Sequence, residues 1–397
     1  MKRGGIAQAV AFITLVCLGC LGAGTSKAES VKIGAIFDLS GPHTQIGIPA
    51  KLVARMVRDQ INREGGINGQ PLDIIFADTE GDPDKAVMAA KHFIEAERVV
   101  AIIGPSTTDT GLAVKALVEQ AKIPTFMTVG SDAVIENGVH NGRDYGNADW
   151  VFKSPPRSST AVTKIYQYLQ MKKLKNIALI TASDGFGADG RMWLTDLAPK
   201  FGLVIVAAEI FDVTDTDMKP QLAAIRKTNA EVIICWTVGA AGSCVAKNRV
   251  ELGIQIPLFQ CHGLPGADYL NMAGAAAEGN LMPSTKLMVP DQLDRLDPQR
   301  EVVITFINLY ERVYRLGRQF PLNAHSGYAW DAIYIVANAI RMAGTDRFKL
   351  REAIESVKGY VGVSGIYNLS PQDHNGLTIE SLVIVKIEQG KWIIQMF

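Results

Sequence analysis

From Val31 onward the chain alternates short apolar runs, four to eight residues long, with longer segments of helical periodicity, and Gly, Pro, Asp and Ser separate the two. Few sequence features restrict a fold as strongly, because an apolar run of that length is buried on both faces and the amphipathic segments must cover it. The pattern predicts βαβ units and a parallel sheet. VKIGAIFDL leads through SGPHTQIG into a helix whose Ile48, Leu52, Val53, Met56, Val57 and Ile61 share a face, and Gly65-Gly66 ends it. Asn68-Gly69 turns the chain into PLDIIFADTE, and Asp82-Pro83 supplies an N-cap and an N1 proline for the next helix. VVAIIG, a helix in LAVKALVEQAK and the strand IPTFMTV follow. After a polar excursion from Gly130 to Asp149 the pattern restarts with WVFKSPP and runs through the strands KNIALIT, LVIVAAEIF, AEVIICW and IPLFQC. Two doubly wound, Rossmann-like lobes are implied, an α/β class. NLMPSTKLMVP, helices in FINLYERVYRLG and HSGYAWDAIYIVANAIRMAG, and a hairpin turning at Gln389-Gly390 complete the chain.

Residues 1–28 read as a secretory signal peptide. Lys2 and Arg3 precede an apolar core from Ile6 to Val16, and small residues end at Ser26-Lys27-Ala28. That core is shorter than the roughly 20 residues a bilayer span needs. A periplasmic or otherwise extracytoplasmic location is expected. Lipid anchoring at Cys20 is the alternative, and Cys17, where a lipoprotein signal usually has Leu, argues against it. Cleavage after Ala28 leaves 369 of the 397 residues, with 37 basic and 40 acidic side chains and a net charge of −3. Nothing in that balance resembles a nucleic-acid footprint. The length calls for two domains of roughly 150 to 200 residues. Cys235, Cys244 and Cys261 remain; buried thiols are expected, with a Cys244–Cys261 bridge left open. Beyond the leader no CxxC or HxxxH spacing points to a metal, and no cofactor is expected.

Open α/β sheets bind ligands beyond the carboxyl ends of their strands, where helix N-termini present free N–H groups to an anion. The loops at that edge are SGPHTQIG, ADTEGDP, GPSTTDTG and VGSDA in the first lobe, and ASDGFGADG, DVTDTD, CWTVGAAG and QCHGLPG in the second. Ser106 and Thr108 in one loop and Ser131 in its neighbour offer hydroxyls beside free amides, a pairing able to hold a carboxylate. Plain helix capping explains the same residues equally well at this level. Catalytic signatures are missing: there is no GxGxxG after the first strand, no GxxxxGK[ST] and no GxSxG. No enzyme is expected; a secreted α/β enzyme would need residues brought together only by folding.

VKIGAIFDLSGPHTQIG, INREGGINGQPLDIIFADTEGDPDKAV, AIIGPSTTDTG, IPTFMTVGS and GFGADG, in this order, resemble the type I periplasmic binding proteins of the leucine/isoleucine/valine family, the receptors of ABC importers. The resemblance spans nearly the whole mature chain. It implies a clamshell of two lobes joined by three crossovers, near Lys153–Pro156, Pro283–Lys286 and Val361–Ile366. Lobe 1 would comprise 29–153 and 286–361, and lobe 2 would comprise 154–285 and 362–397. It implies a monomer that closes on a small ligand and then docks on a permease with ATPase subunits. A sensory receptor of the same shape is the alternative. Carried over by position, the carboxylate-binding hydroxyls fall on Thr108 and Ser131, with backbone help from Val129 and Gly130. Other positions depart from the family. Phe186 and Val238 stand where amino-acid-binding relatives commonly carry aromatic hydroxyls, His262 where they place an acid, and Ser158, preceded by Arg157, where an Asp is common. Gly81 and Thr107 occupy the disulfide positions of some relatives, so that bridge is lost. An ammonium in a closed cleft needs acceptors to offset its desolvation. The expected ligand is therefore an acid without an α-amine, its apolar or aromatic body walled by Phe186, Trp236 and Val238 and a second polar group met by His262 or Arg157. Branched-chain amino acids are the alternative, with Asp109, Asp132 or Asp184 taking the ammonium.

Overall fold

The structure, a computed structural model, describes residues 29–140 and 143–396. The leader with Cys17 and Cys20 lies outside the described residues. The first sheet is five-stranded and parallel, in the order β2-β1-β3-β4-β7, from β1 (Val31–Phe37), β2 (Leu72–Asp78), β3 (Ala101–Ile103), β4 (Thr125–Met127) and β7 (Val151–Lys153). Strand pleating divides its side chains between two faces. Ile33, Ala35 and Phe37 join Ala101 and Ile103 in the core under α1 (Thr44–Arg63) and α10 (Ala324–Ala343), while Ile36 and Ile102 face α2 (Pro83–His92) and α3 (Thr108–Ala121). Both faces are covered, which accounts for the unbroken apolar runs. The Asp82 carboxylate caps α2, accepting from the Asp84 and Lys85 N–H groups, as the Asp-Pro pair predicts.

The second sheet runs β16-β15-β12-β11-β10-β8-β9. Its parallel part comprises β8 (Asn176–Ala182), β9 (Val204–Phe211), β10 (Val232–Trp236), β11 (Leu258–Phe259) and β12 (Leu281–Thr285). β15 (Leu382–Glu388) pairs antiparallel with β12 and turns at Gln389-Gly390, both at positive φ, into β16 (Lys391–Ile394). α4 (Ser158–Met171), α5 (Gly185–Leu197), α6 (Lys219–Arg226) and α7 (Ala240–Glu251) pack against this sheet. Small hairpins, β5 (Val139–His140) with β6 (Arg143–Asp144) and β13 (Tyr360–Val361) with β14 (Ile366–Tyr367), decorate the first lobe. α8 (Ala267–Ala273), α9 (Arg300–Asn308) and α11 (Arg347–Glu355) complete the helices; the sequence reading did not pick out α8 and α11.

The chain is thus a two-lobed α/β clamshell. Lobe membership follows from the cores. Leu287 already belongs to the first core, but Val289 and Leu293 still touch the second. Val363, Tyr367, Leu369 and Leu377 stay with the first core, and only Leu382 rejoins the second. The last return to lobe 2 therefore comes later than Val361–Ile366. Tyr367 holds it there, its hydroxyl donating to the Ser154 carbonyl at 2.7 Å and to Asp331 at 3.1 Å. All three cysteines of the described chain are free, Cys235 and Cys261 buried and Cys244 half-buried.

Candidate functional site

The carboxyl ends of β3 and β4 in lobe 1 face those of β8, β10 and β11 in lobe 2. Their loops enclose a cavity lined by Ile46, Ser106, Thr107, Thr108, Gly130, Pro155, Asp184, Phe186, Val238, His262, Gly263, His325 and Tyr328. The space between these atoms is about 410 Å³. The lobes lie against one another around it, the Asp109 carboxylate of one accepting from the Gly185 N–H of the other. A larger, more open groove lies on lobe 1 between α3 and residues 144–150. The Lys115 ammonium there already donates to the Ala133 and Glu136 carbonyls, and Glu119, Lys122, Asp144 and Asp149 make the rest of the lining mixed in charge.

Of the hydroxyls in GPSTTDTG, three are engaged and one is not. Ser106 Oγ accepts from Thr128 Oγ1 at 3.2 Å, and Thr107 and Thr110 share a hydrogen bond of 2.7 Å. Thr107 is the N-cap of α3, yet its side chain caps no N–H. Thr108 opens the helix; it is 3% exposed, and its Oγ1 is buried with no partner. Capping therefore does not explain Thr108. An orphaned buried hydroxyl costs about 1–3 kcal/mol, and at a helix N-terminus an incoming carboxylate relieves that cost while meeting the positive end of the helix dipole.

Gly130 forms the floor. A Cβ there would come within 2.9 Å of the Phe186 ring and 3.1 Å of His262 Nε2, so only glycine lets the two lobes approach. Beneath it, the fully buried Lys153 donates to the carbonyls of Gly130 at 2.7 Å and Ser131 at 3.1 Å, pinning the loop to the first crossover. Burial pulls the Lys153 ammonium down to about 8 against the opposing pull of Asp132, whose carboxylate lies 3.6 Å away. Phe186, His262 and Trp236 form an aromatic wall, with ring centroids 5.4 to 5.8 Å apart.

Two histidines reach the cavity from opposite lobes. His262 follows β11; its ring lies against the Gly130 backbone, and neither ring nitrogen makes a well-aligned hydrogen bond. Burial, reinforced by the Lys153 charge, pulls its pKa down to about 3. His325 lies in the first turn of α10, with Nε2 3.2 Å from the Gly263 carbonyl and Nδ1 buried and unpartnered; burial pulls it down to about 4. Both imidazoles are neutral at physiological pH. Asp184 is the one carboxylate in the lining. It caps α5, accepting from the Gly187 N–H at 2.8 Å, and burial raises its pKa, with Asp109 adding to the effect. Asp109 in turn accepts from the Gly185 N–H across the cleft at 3.3 Å.

The lobes are further stitched beside the cavity. The Ala267 N–H donates to the Leu322 carbonyl at 2.9 Å, and the Ala324 N–H to the Pro265 carbonyl at 3.0 Å, a short antiparallel bridge centred on Gly266 and Asn323. Asn323 Nδ2 ties it to the Gln45 carbonyl at 2.9 Å and to Asp268 at 3.3 Å.

Six residues expected to touch ligand line the cavity: Ser106, Thr108, Gly130, Phe186, Val238 and His262. Four do not. Ser131 is fully buried, its hydroxyl accepting from the Ala133 N–H as a cap. Val129 packs into the core under α2 and α3. Trp236 backs the wall from behind Phe186 and His262. Arg157 bonds Glu136 and Asp373, each at 3.2 Å, because it starts α4 facing the crossover rather than the cleft. Sequence reasoning missed His325, Tyr328 and Lys153. HSGYAWDAIYIV reads as an ordinary buried helix; only its unusually polar start, Asn-Ala-His-Ser, hints at an exposed end, and Lys153 shows itself as the one charge in WVFKSPP. Among the described residues no cluster of His, Cys, Asp and Glu could hold a metal.

A family model described as periplasmic binding protein matches residues 30–391. The Leu/Ile/Val-binding protein homolog 3 of Brucella melitensis is 22% identical over 375 residues, 94% of this chain and 95% of that one. An extracellular ligand-binding receptor from Rhodopseudomonas palustris superposes with a TM-score of 0.83 at 24% identity, covering 93% of this chain and all of that one. A branched-chain amino acid ABC transporter protein from Thermus thermophilus with bound valine has a TM-score of 0.79 at 18% identity, covering 93% and 96%. Proteins of this kind are ligand receptors that work with ABC permeases, and they are not enzymes. With the interlobe cavity, the paired sheets and a family match from residue 30 to residue 391, the chain belongs to the periplasmic binding protein family, as a type I member related to the leucine/isoleucine/valine-binding proteins.

Proposed function

We propose that the chain is the exported solute-binding receptor of an ABC importer and that its ligand is a small aromatic or aliphatic acid without an α-amine. The carboxylate sits at Thr108 and the first turn of α3, with Ser106 and Gly130 beside it, and the body lies against Phe186 and Val238. The observation that carries this reading is the buried, unpartnered Thr108 hydroxyl facing a cavity whose sole carboxylate, Asp184, is committed to capping α5. A ligand ammonium would be withdrawn from water with no free acid to meet it, at a cost of several kcal/mol. In this reading the lobes turn about the crossovers at Lys153–Pro156, near Thr285–Leu287 and between Leu377 and Leu382, opening the cleft as a hinge.

A second reading has support of its own. Relatives are named for leucine, isoleucine and valine, one structural neighbour holds valine, and Asp184 does line the cavity. An amino acid whose ammonium displaces the Gly187 N–H from Asp184 satisfies these facts. Thermal-shift measurements with leucine, valine, 4-methylpentanoate and benzoate separate the two. A ligand at 100-fold its Kd adds about 2.7 kcal/mol of stability, a visible shift. Stabilisation by the deaminated acids alone supports the first reading; stabilisation by leucine or valine alone supports the second.

A further inference from the structure

The carboxylate reading accounts for Thr108 and leaves the histidines without a role. His325 is held at one end only. Its Nε2 lies 3.2 Å from the Gly263 carbonyl, and a carbonyl only accepts, so the ring proton sits on Nε2. A neutral imidazole protonated there has its lone pair on Nδ1. That atom is buried in the same lining as Thr108 and has no donor. Neutrality follows from the site: the ring is 8% exposed, in the first turn of α10, where the helix dipole disfavours a cation. His262, 1% exposed, adds one N–H and one lone pair from the other lobe, neither in a well-aligned hydrogen bond.

We infer that the ligand carries, besides its carboxylate, a neutral hydrogen-bond donor, a hydroxyl group, which donates to Nδ1 of His325 and accepts from the His262 ring, making His325 a specificity-determining residue. This deepens the carboxylate reading and rests on it. A hydroxyl fits because it donates and accepts at once, matching a lone pair from one lobe and an N–H from the other. A second carboxylate fails, having no proton to offer Nδ1. An unsubstituted acid leaves the lone pair buried, and sites built to bond a hydroxyl reject analogues lacking it by large factors. Closure gives the arrangement its selectivity, since the Gly263 carbonyl that fixes the His325 tautomer belongs to the opposite lobe.

Calorimetric titration of the purified mature chain with matched pairs tests this. Suitable pairs are 4-hydroxybenzoate with benzoate and 6-hydroxyhexanoate with hexanoate, beside terephthalate and leucine. In at least one pair the hydroxylated acid is expected to bind about tenfold or more tighter than its deoxy partner, with terephthalate weaker than both. In His325→Phe that ratio falls to within about twofold, and His325→Gln, which restores an acceptor, recovers part of it. The ratio is taken within one protein, so a change in stability does not mimic the result, and the wild-type comparison stands even where a variant fails to fold. Equal affinity within every pair overturns the inference and leaves the carboxylate reading standing. A preference that survives His325→Phe overturns the assignment to His325. No binding by any acid, with leucine binding instead, overturns both.

Discussion

Thr108 and Ser131 look alike in sequence, two hydroxyls in neighbouring strand-to-helix loops, and the fold gives them opposite tasks. Ser131 satisfies an N–H of its own loop, whereas Thr108 satisfies nothing. Thr108→Val keeps the shape and removes the orphan. Acid affinity measured by calorimetry is expected to drop about tenfold or more, while the unliganded melting temperature holds or rises. Ser131→Ala should instead lose about 1 kcal/mol of stability through its cap. His262 gives a test in pH. Its folded pKa, about 3, lies below the ordinary value near 6.5, so its contribution is fully present above pH ~6.5 and is lost as pH falls toward the folded value. Lys153, Asp132 and His325 face it and remain in a His262→Phe variant. The stability difference between variant and wild type should therefore move in the variant's favour by up to about 1.4 kcal/mol per pH unit between pH 6.5 and 4, measured by denaturant unfolding. A difference that stays constant across that range contradicts the buried neutral ring.

At the scale of elements, the short bridge between residues 265–267 and 322–324 holds the closed form, and Gly266 makes it possible. A Cβ on Gly266 would fall 2.2 Å from the Asp268 carboxylate and 2.5 Å from Asn323 Cβ. Gly266→Ala should therefore weaken ligand binding by opposing closure, with little change in the unfolding of the separate lobes. Small-angle scattering with saturating ligand would then show the variant more extended than wild type. Lys153 works in the other direction, fixing the loop of Gly130 to the crossover. Lys153→Met leaves Asp132 near its site without the ammonium, and about 3–5 kcal/mol of destabilisation is expected in denaturant melts. The regular elements were legible because burial on two faces leaves a continuous apolar run, as in β1, and because Asp82-Pro83 and Gln389-Gly390 carry their own local geometry. α8 and α11 were not, being short and, in α11, mostly polar. In the site, loop position pointed to Thr108, while Phe186 and His262 were singled out only through the family resemblance, and all three line the cavity. His325 arrives from a helix some 60 residues further on in sequence, and no local pattern connects it to His262.

The whole molecule joins two sheets with matching carboxyl ends, so that the site exists only where the lobes meet. Neither lobe alone carries the full set: Thr108, Gly130 and His325 belong to the first, and Phe186, Val238 and His262 to the second. In the proposed reading, that division makes ligand binding and closure one event. On the same reading this cleft holds a carboxylate and has no partner for an ammonium. Calorimetric titration of the purified protein with leucine and with 4-methylpentanoate, the same skeleton without the amine, separates the two. The acid is expected to bind and leucine to bind at least about tenfold more weakly; tighter binding of leucine would overturn the proposal.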